Sequence, residues 1–563
     1  MEKRRVSLIS VMMILVSFVV LVSLISGIMI LNQNRLEEIT QRVIYKFDLL
    51  WERCVDSVKY YNRYEAIGKD KDGNIMVLRK TYDYSAGYAI VFYTIEKYDP
   101  SGEELIFAKR IDYISYIDHI YFNEDGSFLV TGEYYYNPHG QVVNKYDSEC
   151  KLVWTDSSWD NLFSDLESND NMVYMDLELN NVTKNAAGNY LIAGNYYLEI
   201  EREDEYLDYC YGILVVYDEN GNQIDFIKIS ADANASEMKF EDAISNQNGT
   251  VVIGSILNKD TYQLNGIVYS IDEGGNVKWK QVYNTNENSF KDIAIDDDGN
   301  YFIVAQTEEY PIILKYDTDG NKIGEQIIAN DELLEVKKVK ILNNDKIIVV
   351  GNDEESVLMS ILDKELLLLN VNYYQFQENK TNISDFIIND DYTLFIIGEV
   401  ENHEEDEKAS KKDKKLNGMI AKISPSMDII VTKKWEDYDN KLKTRPENII
   451  VGLKNNDEVI VEKTISTTED MNVKFTGLPL FDEAGNHINY TVTELEESKG
   501  DLENYSAQID QENYTIVNQY QDEVENVPTS DMNIWLYIVI SIIAIVVIII
   551  VIVMIVRGKK NHK

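Results

Sequence analysis

The sequence predicts an all-β protein: a β-propeller of about seven blades, then a smaller β module, with an apolar helix at each end. Three observations predict it. A turn-and-strand pattern recurs at a period near 50 residues from about residue 61 to 428. The pattern then stops, and different strand signals occupy Ile429–Tyr520. Two long apolar runs bracket everything between them, and 563 residues are too many for one ordinary core.

The N-terminus reads Met1-Glu2-Lys3-Arg4-Arg5 and then runs mostly apolar from Val6 to Leu31, long enough to cross a bilayer. The run ends Ser26-Gly27-Ile28-Met29 with no small-x-small exit, so residues 1–31 read as an uncleaved signal-anchor rather than a cleaved signal. Over residues 32–60, Leu36, Ile39, Val43, Phe47 and Leu50 recur in steps of three and four, which predicts an amphipathic helical stalk.

The repeat follows. Each unit opens on a polar turn, enters a β-branched strand that often ends in glycine, continues in a second strand that leads into a second turn, and then has a third and a fourth strand. First turns fall at Asp72-Gly73, Asp125-Gly126, Ala187-Gly188, Asn248-Gly249, Asp298-Gly299, Asn344-Asp345 and Asp390-Asp391. Second turns fall at Tyr98-Asp99, Tyr146-Asp147, Tyr217-Asp218, Ile271-Asp272, Tyr316-Asp317, Leu362-Asp363 and Ile423-Ser424. Gly132, Gly194, Gly254, Gly351 and Gly398 mark strand ends. Gly and Asn tolerate the positive φ that tight hairpins need. Tyr301-Phe302-Ile303-Val304 and Ile347-Ile348-Val349-Val350 are continuous apolar runs suited to strands covered on both faces. Four strands per unit, repeated about seven times, imply radial closure into a propeller, with six or eight blades if an end unit is misread. A segment near Tyr64–Ile67 is the candidate outer strand that closes the last blade.

The repeat resembles bacterial extracellular propellers built on short Asp-Gly-Asn turns, a resemblance that implies fold and is silent on ligand. Asp292, Asp296, Asp298, Asp317 and Asp319 are oxygen-rich enough to suggest Ca2+, but they do not complete an EF-hand loop, and ordinary turn chemistry explains them as well. No other cofactor is expected. The stretch His403–Lys415 is a charge run, read as a solvated loop of the last unit.

Beyond residue 428 the landmarks are Val431-Thr432-Lys433-Lys434-Trp435-Glu436-Asp437, Arg445-Pro446, Phe475-Thr476-Gly477-Leu478-Pro479, Tyr490-Thr491-Val492-Thr493-Glu494 and Tyr514-Thr515-Ile516-Val517-Asn518-Gln519-Tyr520. Residues two apart on a strand share a face, so Lys433 follows Trp435, Glu494 follows Val492, and Asn518 follows Ile516 and Tyr520. Three polar groups therefore point where apolar ones point, and buried they need partners. In these landmarks and their order, residues 429–520 closely resemble the collagen-adhesin B-type (Cna-B) domain of Gram-positive adhesins and pilins. The resemblance implies a β-sandwich with an intramolecular isopeptide bond between Lys433 and Asn518. Glu494 would be its autocatalytic acid-base group, and burial would lower the lysine pKa to make the amine nucleophilic. An unreacted domain with a buried ion pair is the alternative.

After a linker at 521–533, Ile534–Val556 forms the second apolar span, and Arg557, Lys559, Lys560 and Lys563 make a basic tail at 557–563. Basic flanks stay cytoplasmic, so both termini are expected inside and the bulk of the chain outside the cell membrane. Val527-Pro528-Thr529-Ser530-Asp531 with the span and tail resembles a sortase signal, yet it keeps only the proline of the motif. Covalent wall attachment and a plain membrane anchor both remain open.

Composition narrows function. Lys+Arg number 53 against 97 Asp+Glu, a net charge of −44 that repels phosphate backbones and disfavours nucleic acid as a partner. Three cysteines without CxxC spacing and five scattered histidines offer neither a disulfide framework nor a metal-ligand set. No Gly-x-Ser-x-Gly elbow or phosphate loop is present, so substrate turnover is not expected. The favoured function is a surface adhesin or binding scaffold, with the propeller as head for an unknown extracellular protein or polysaccharide and the Cna-B module as stalk. An envelope sensor or assembly partner is the alternative, and a propeller enzyme the third.

Overall fold

The computed structural model describes residues 43–521 apart from residues 55–59, 86, 135–139, 160–170, 203–204, 233, 284–288, 308, 330–333, 344–345, 354, 377–379, 403–414, 442, 468–470, 483–486 and 496–501. The chain forms two compact units. The first runs to Ile430 and also takes Lys474–Asn489; the second comprises Val431–Val473 and the chain from Tyr490.

The first unit holds seven antiparallel blades of four strands, six of them separate four-stranded sheets and the seventh part of a seven-stranded sheet. Their first strands are Tyr60–Lys69, Tyr116–Phe122, Asn171–Lys184, Ala235–Asn246, Ser289–Ile295, Glu335–Leu342 and Thr381–Ile388. Each first strand touches the next, and the seventh touches the first, so they ring a central axis. Second strands such as Tyr301–Gln306 and Lys346–Asn352 are buried on both faces, as their unbroken apolar sequences require.

The last blade is closed by an earlier piece of chain than expected. Thr381–Ile388, Leu394–Asn402 and Lys415–Glu436 supply three strands, and Val43–Cys54 pairs antiparallel with the third, from Val43 opposite Ile429 to Cys54 opposite Met419. Tyr64–Ile67 instead lies in the innermost strand of blade 1. The helical stalk predicted over residues 32–60 is corrected where that stretch is described, since Val43–Cys54 is strand; residues 32–42, with Leu36 and Ile39, and 55–59 lie outside the described residues. The three- and four-residue spacing hid a period-two alternation of Val43, Tyr45 and Phe47, β-branched and aromatic residues that suit a strand, and the open edge of Lys415–Glu436 supplied the hydrogen bonds. The second turn expected at Ile423-Ser424 is absent for a related reason. With its outer strand supplied from Val43–Cys54, blade 7 needs no hairpin there, and Lys415–Glu436 runs straight through.

A bulge recurs in all seven first strands, at Tyr64/Ala66, Ile117/His119, Leu179/Asn181, Phe240/Asp242, Phe290/Asp292, Val336/Lys338 and Ile383/Asp385. The strand-end glycines are its counterparts. Gly132, Gly194, Gly254, Gly351 and Gly398 lie opposite the first bulge residue of their blades. A Cβ at Gly254 would run into the Lys239 carbonyl, because the bulge pushes that backbone inward. In four of the blades the side chain of the residue after the bulge ties its blade to the next. Val182 N donates to His119 Nδ1 at 3.2 Å, Ile293 N to Asp242 Oδ2 at 3.2 Å, Val339 N to Asp292 Oδ2 at 2.8 Å, and Ile67 N to Asp385 Oδ2 at 3.4 Å across the closing seam.

The second unit contains two sheets. In one, Thr432–Glu436 pairs parallel with Thr515–Gln519, and Tyr505–Asp510 pairs antiparallel with Thr515–Tyr520. In the other, Asn448–Asn455 lies between Glu458–Ser466 and Tyr490–Glu494. Lys474–Asn489, read from sequence as part of the C-terminal module, groups with the first unit: Gly477 N donates to Asp428 Oδ1 at 3.0 Å, Lys474 pairs with Asp428, and the Tyr392 and Phe481 rings lie 4.4 Å apart.

The expected localisation, two terminal membrane-crossing helices with both ends cytoplasmic, is corrected. Among the described residues no helix is long and apolar enough to cross a membrane. Those residues form strands and turns whose apolar side chains are divided among packed sheet faces, which leaves no continuous apolar helix. The runs Val6–Leu31 and Ile534–Val556, the Val527–Asp531 motif and all but the last residue of the His403–Lys415 charge run lie outside the described residues.

Candidate functional site

Alternation on three strands of the second unit brings Lys433, Glu494 and Asn518 into one core. Trp435 sits opposite Asn518 and Lys433 opposite Ile516 in the parallel pair, so Lys433 and Asn518 are diagonal neighbours on one face. Glu494 comes from the other sheet, opposite Val451. Exposure is 1% for Lys433, 6% for Glu494 and 0% for Asn518. Asn518 Nδ2 donates to both carboxylate oxygens of Glu494, each at 3.1 Å, and so joins the two sheets. Asn518 Oδ1 is buried with no hydrogen-bond partner among the described residues. Lys433 Nζ donates to the Lys434 carbonyl at 3.0 Å and lies 4.0 Å from the centre of the Trp435 ring.

This geometry suits amide exchange. The carboxyl group touches the nitrogen that would leave, so it can deliver the proton that turns the departing group into ammonia. A half-turn of the amide brings Oδ1 to Glu494 instead, where a protonated carboxyl would polarise the carbonyl. The indole over the ammonium and the surrounding apolar core keep water from competing for the amine.

A supporting pair was present in the sequence landmarks but carried no assigned role. Arg445 Nε and Nη2 donate to Asp437 Oδ2 and Oδ1 at 2.6 and 2.7 Å, a bidentate pair with both side chains largely buried. Tyr505 Oη donates to Asp437 Oδ2 at 3.1 Å, the Tyr505 ring meets Trp435 edge-on at 5.2 Å, and the guanidinium lies 5.1 Å from the Trp435 ring centre. Trp435, against which Lys433 rests, is thereby also held by Arg445 and Tyr505. Charged residues flanking a strand tryptophan were the available signal.

The aspartates considered for Ca2+ do not converge. Asp292 faces the axis and pairs with Lys338 at 3.0 Å. Asp296 accepts from Asn300 N and Nδ2, and Asp317 from Asp319 N, Asn321 N and Asn321 Nδ2, all within their own turns. Asp298 and Asp319 are exposed turn residues. Among the described residues no group of three or more His, Cys, Asp or Glu is arranged to hold a metal ion.

Comparison with known proteins places the second unit. Residues 429–519 match the model of the Cna protein B-type domain. The collagen adhesin of Staphylococcus aureus is 34% identical over 132 residues, which make up 22% of this chain and 10% of that protein. The chain therefore spans about a tenth of that relative's length. The solved single B repeat unit (B1) of the collagen-binding surface protein Cna of Staphylococcus aureus shares 33% identity, covering 17% of this chain and 46% of that one, with a TM-score of 0.15. The β-propeller domain of the Trilobed protease from Pyrococcus furiosus shares 11% identity, covering 65% of this chain and 94% of that one, with a TM-score of 0.36. The assignment of seven blades rests on strand order and the closed ring of first strands.

Proposed function

We propose that the chain is a cell-surface adhesin-type scaffold, with the propeller as binding head and the Cna-B module as a covalently tied stalk. The observation that carries this is the buried set of Lys433, Glu494 and Asn518 inside a segment that matches the Cna B-type domain. The relative that shares the domain is named a collagen adhesin, and from that name we carry over only the ligand class, an extracellular protein.

In the proposed reaction the neutral Lys433 amine attacks Asn518 Cγ. The new C–N bond forms as the bond to Nδ2 breaks, Glu494 relays the amine proton to the leaving nitrogen, and one ammonia departs. The product links the first and last strands of the sandwich across about 85 residues, and by analogy with a disulfide such a loop contributes about 4–5 kcal/mol. Strands 431–436 and 515–520 then cannot be peeled apart, which is what a tension-bearing stalk needs. No substrate turnover is assigned to the chain; its chemistry is this single self-modification.

Intact mass of the full-length chain tests the proposal. The parent is expected to weigh one ammonia less than its composition, with the Lys433–Asn518 linked peptide recovered after digestion. Glu494→Ala should keep the full mass. A parent at full mass would leave the module Cna-B-like in fold alone and remove the main support for a mechanical role.

A further inference from the structure

The two faces of the propeller differ in chemistry. In an antiparallel meander the hairpins between first and second strands, and between third and fourth, share one face; the second-to-third hairpins and the blade-to-blade links share the other. The first face is made of tight Asp, Asn and Gly turns. On the second lie all the exposed tyrosines of the first unit among the described residues. Tyr84 is 49% exposed, Tyr88 66%, Tyr113 66%, Tyr174 52%, Tyr206 64% and Tyr262 82%. Composition alone would have scattered them over both faces.

Blade 3 rises from that second face. Its first three strands, Asn171–Lys184, Tyr190–Arg202 and Glu205–Tyr217, have 14, 13 and 13 residues, whereas those of blade 5 have 6 or 7. Asn171–Lys184 is the edge strand of its sheet. Its tip carries Met172, Val173 and Tyr174 in succession, each about half exposed. An apolar edge with unpaired backbone groups is a template for another strand, and natural proteins usually blunt such an edge with lysine or proline. Here neither is present in Asn171–Met175. The flanking charge is negative: Asn171 and Tyr174 lie opposite Glu201 and Glu199, Glu199 lies opposite Asp208, and Arg202 at the tip lies opposite a further acidic residue, Glu205. Two carboxylates in direct cross-strand register repel each other unless a cation lies nearby.

We propose that the Asn171–Met175 edge on this face, with Tyr174 and Tyr206 beside it, docks an extended basic segment of a partner polypeptide as an added strand. Backbone pairing supplies the register, lysine or arginine side chains neutralise Glu199, Glu201 and Asp208, and the tyrosines offer ring faces to the same cations. A second copy of the chain is a poor occupant, because two chains of charge −44 repel. The proposal rests on the propeller being the binding head.

The test uses the full-length chain and a synthetic ten-residue peptide of alternating lysine and valine, with the same peptide carrying glutamate for lysine and a neutral dextran as comparators. The lysine peptide is expected to bind, with affinity falling as salt rises, and the comparators to leave no signal. Met172→Lys with Tyr174→Lys should weaken the lysine peptide at least tenfold. Asn220→Lys with Gln247→Lys, the same change of charge at two exposed turn residues of the opposite face, should weaken it less than twofold. Equal weakening by both pairs would show non-specific charge attraction and overturn the proposal, as would failure of the parent to bind or binding of dextran alone. An unchanged melting temperature in each variant separates loss of the surface from loss of the fold. If the peptide binds as expected but the chain confers no attachment to protein-coated surfaces when displayed on cells, the adhesin function fails while the docking face stands.

Discussion

Asp437 shows how one ion pair shapes acid stability. Burial by itself would raise its pKa, but the hydrogen bonds from Arg445, Asn440 N and Tyr505, together with the guanidinium charge, outweigh burial and hold the carboxyl below its ordinary value. A depressed carboxyl contributes stability above its unfolded pKa, near 4, and loses it as pH falls through the lowered folded value. Arg445→Ala leaves Asp437, 3% exposed, as an uncompensated charge and should cost about 3 kcal/mol at pH 7, read from the urea midpoint of the second unit. The deficit should shrink below about pH 4, where Asp437 gains a proton. At the propeller axis the logic has the opposite sign. Burial, then the neighbouring Asp292, push Asp242 well above the carboxylate range, and Lys338 opposes them. Burial works against the charge on Lys338, yet Asp292, Asp385 and Asp242 raise its pKa above the ordinary lysine value. His119 is pushed down to about 3 by burial and then by Lys338, so it stays neutral and accepts from Val182 N. Lys338→Met should destabilise the propeller at pH 7 by about 2 kcal/mol, less than for a fully buried pair because its side chain is 30% exposed. Stability should recover toward pH 4 as the orphaned carboxyls take up protons. A loss that does not vary with pH would mean that packing, not charge, explains Lys338.

Among elements, the closing strand and the bulges have the largest consequences. Phe47 is 3% exposed in a strand that otherwise shows mostly part-buried positions, so it anchors Val43–Cys54 to blade 7. Phe47→Ala should lower propeller stability by about 3 kcal/mol and make residues 415–429 exchange amide hydrogens faster, because their edge loses its partner. Unchanged exchange there would show that the ring closes without this strand. Gly254→Ala tests the bulge. A methyl aimed at the Lys239 carbonyl should cost about 1–3 kcal/mol unless the bulge relaxes, and Ala305, opposite Phe290 at the equivalent place in blade 5, shows that this register can carry a methyl.

For the whole molecule, two compact units predict two separable heat-induced transitions. If the Lys433–Asn518 bond forms, Glu494→Ala should lower the transition of the second unit and leave the propeller transition in place, as scanning calorimetry would resolve. A joint shift of both would mean the units unfold as one. Net charge acts at this scale too: with −44, raising ionic strength should stabilise the chain by screening self-repulsion.

Much of this was legible along the chain. Repeating turns revealed the blades, because tight hairpins need particular residues at particular places, and alternation placed Lys433, Glu494 and Asn518 on core-facing positions before any contact was known. Other features depended on partners distant in sequence. The spacing of Val43, Phe47 and Leu50 suits a helix while the alternation of Val43, Tyr45 and Phe47 suits a strand, and only the open edge near Ile429 settled it. The strand-end glycines were visible, but their cause, a bulge in the preceding strand, is a matter of register. Likewise, 39 tyrosines could be counted from composition, whereas gathering the exposed ones on one face required knowing which hairpins share it. Local chemistry determines turns and strand faces; edges, register and sidedness depend on which strands meet, and that only the tertiary structure decided.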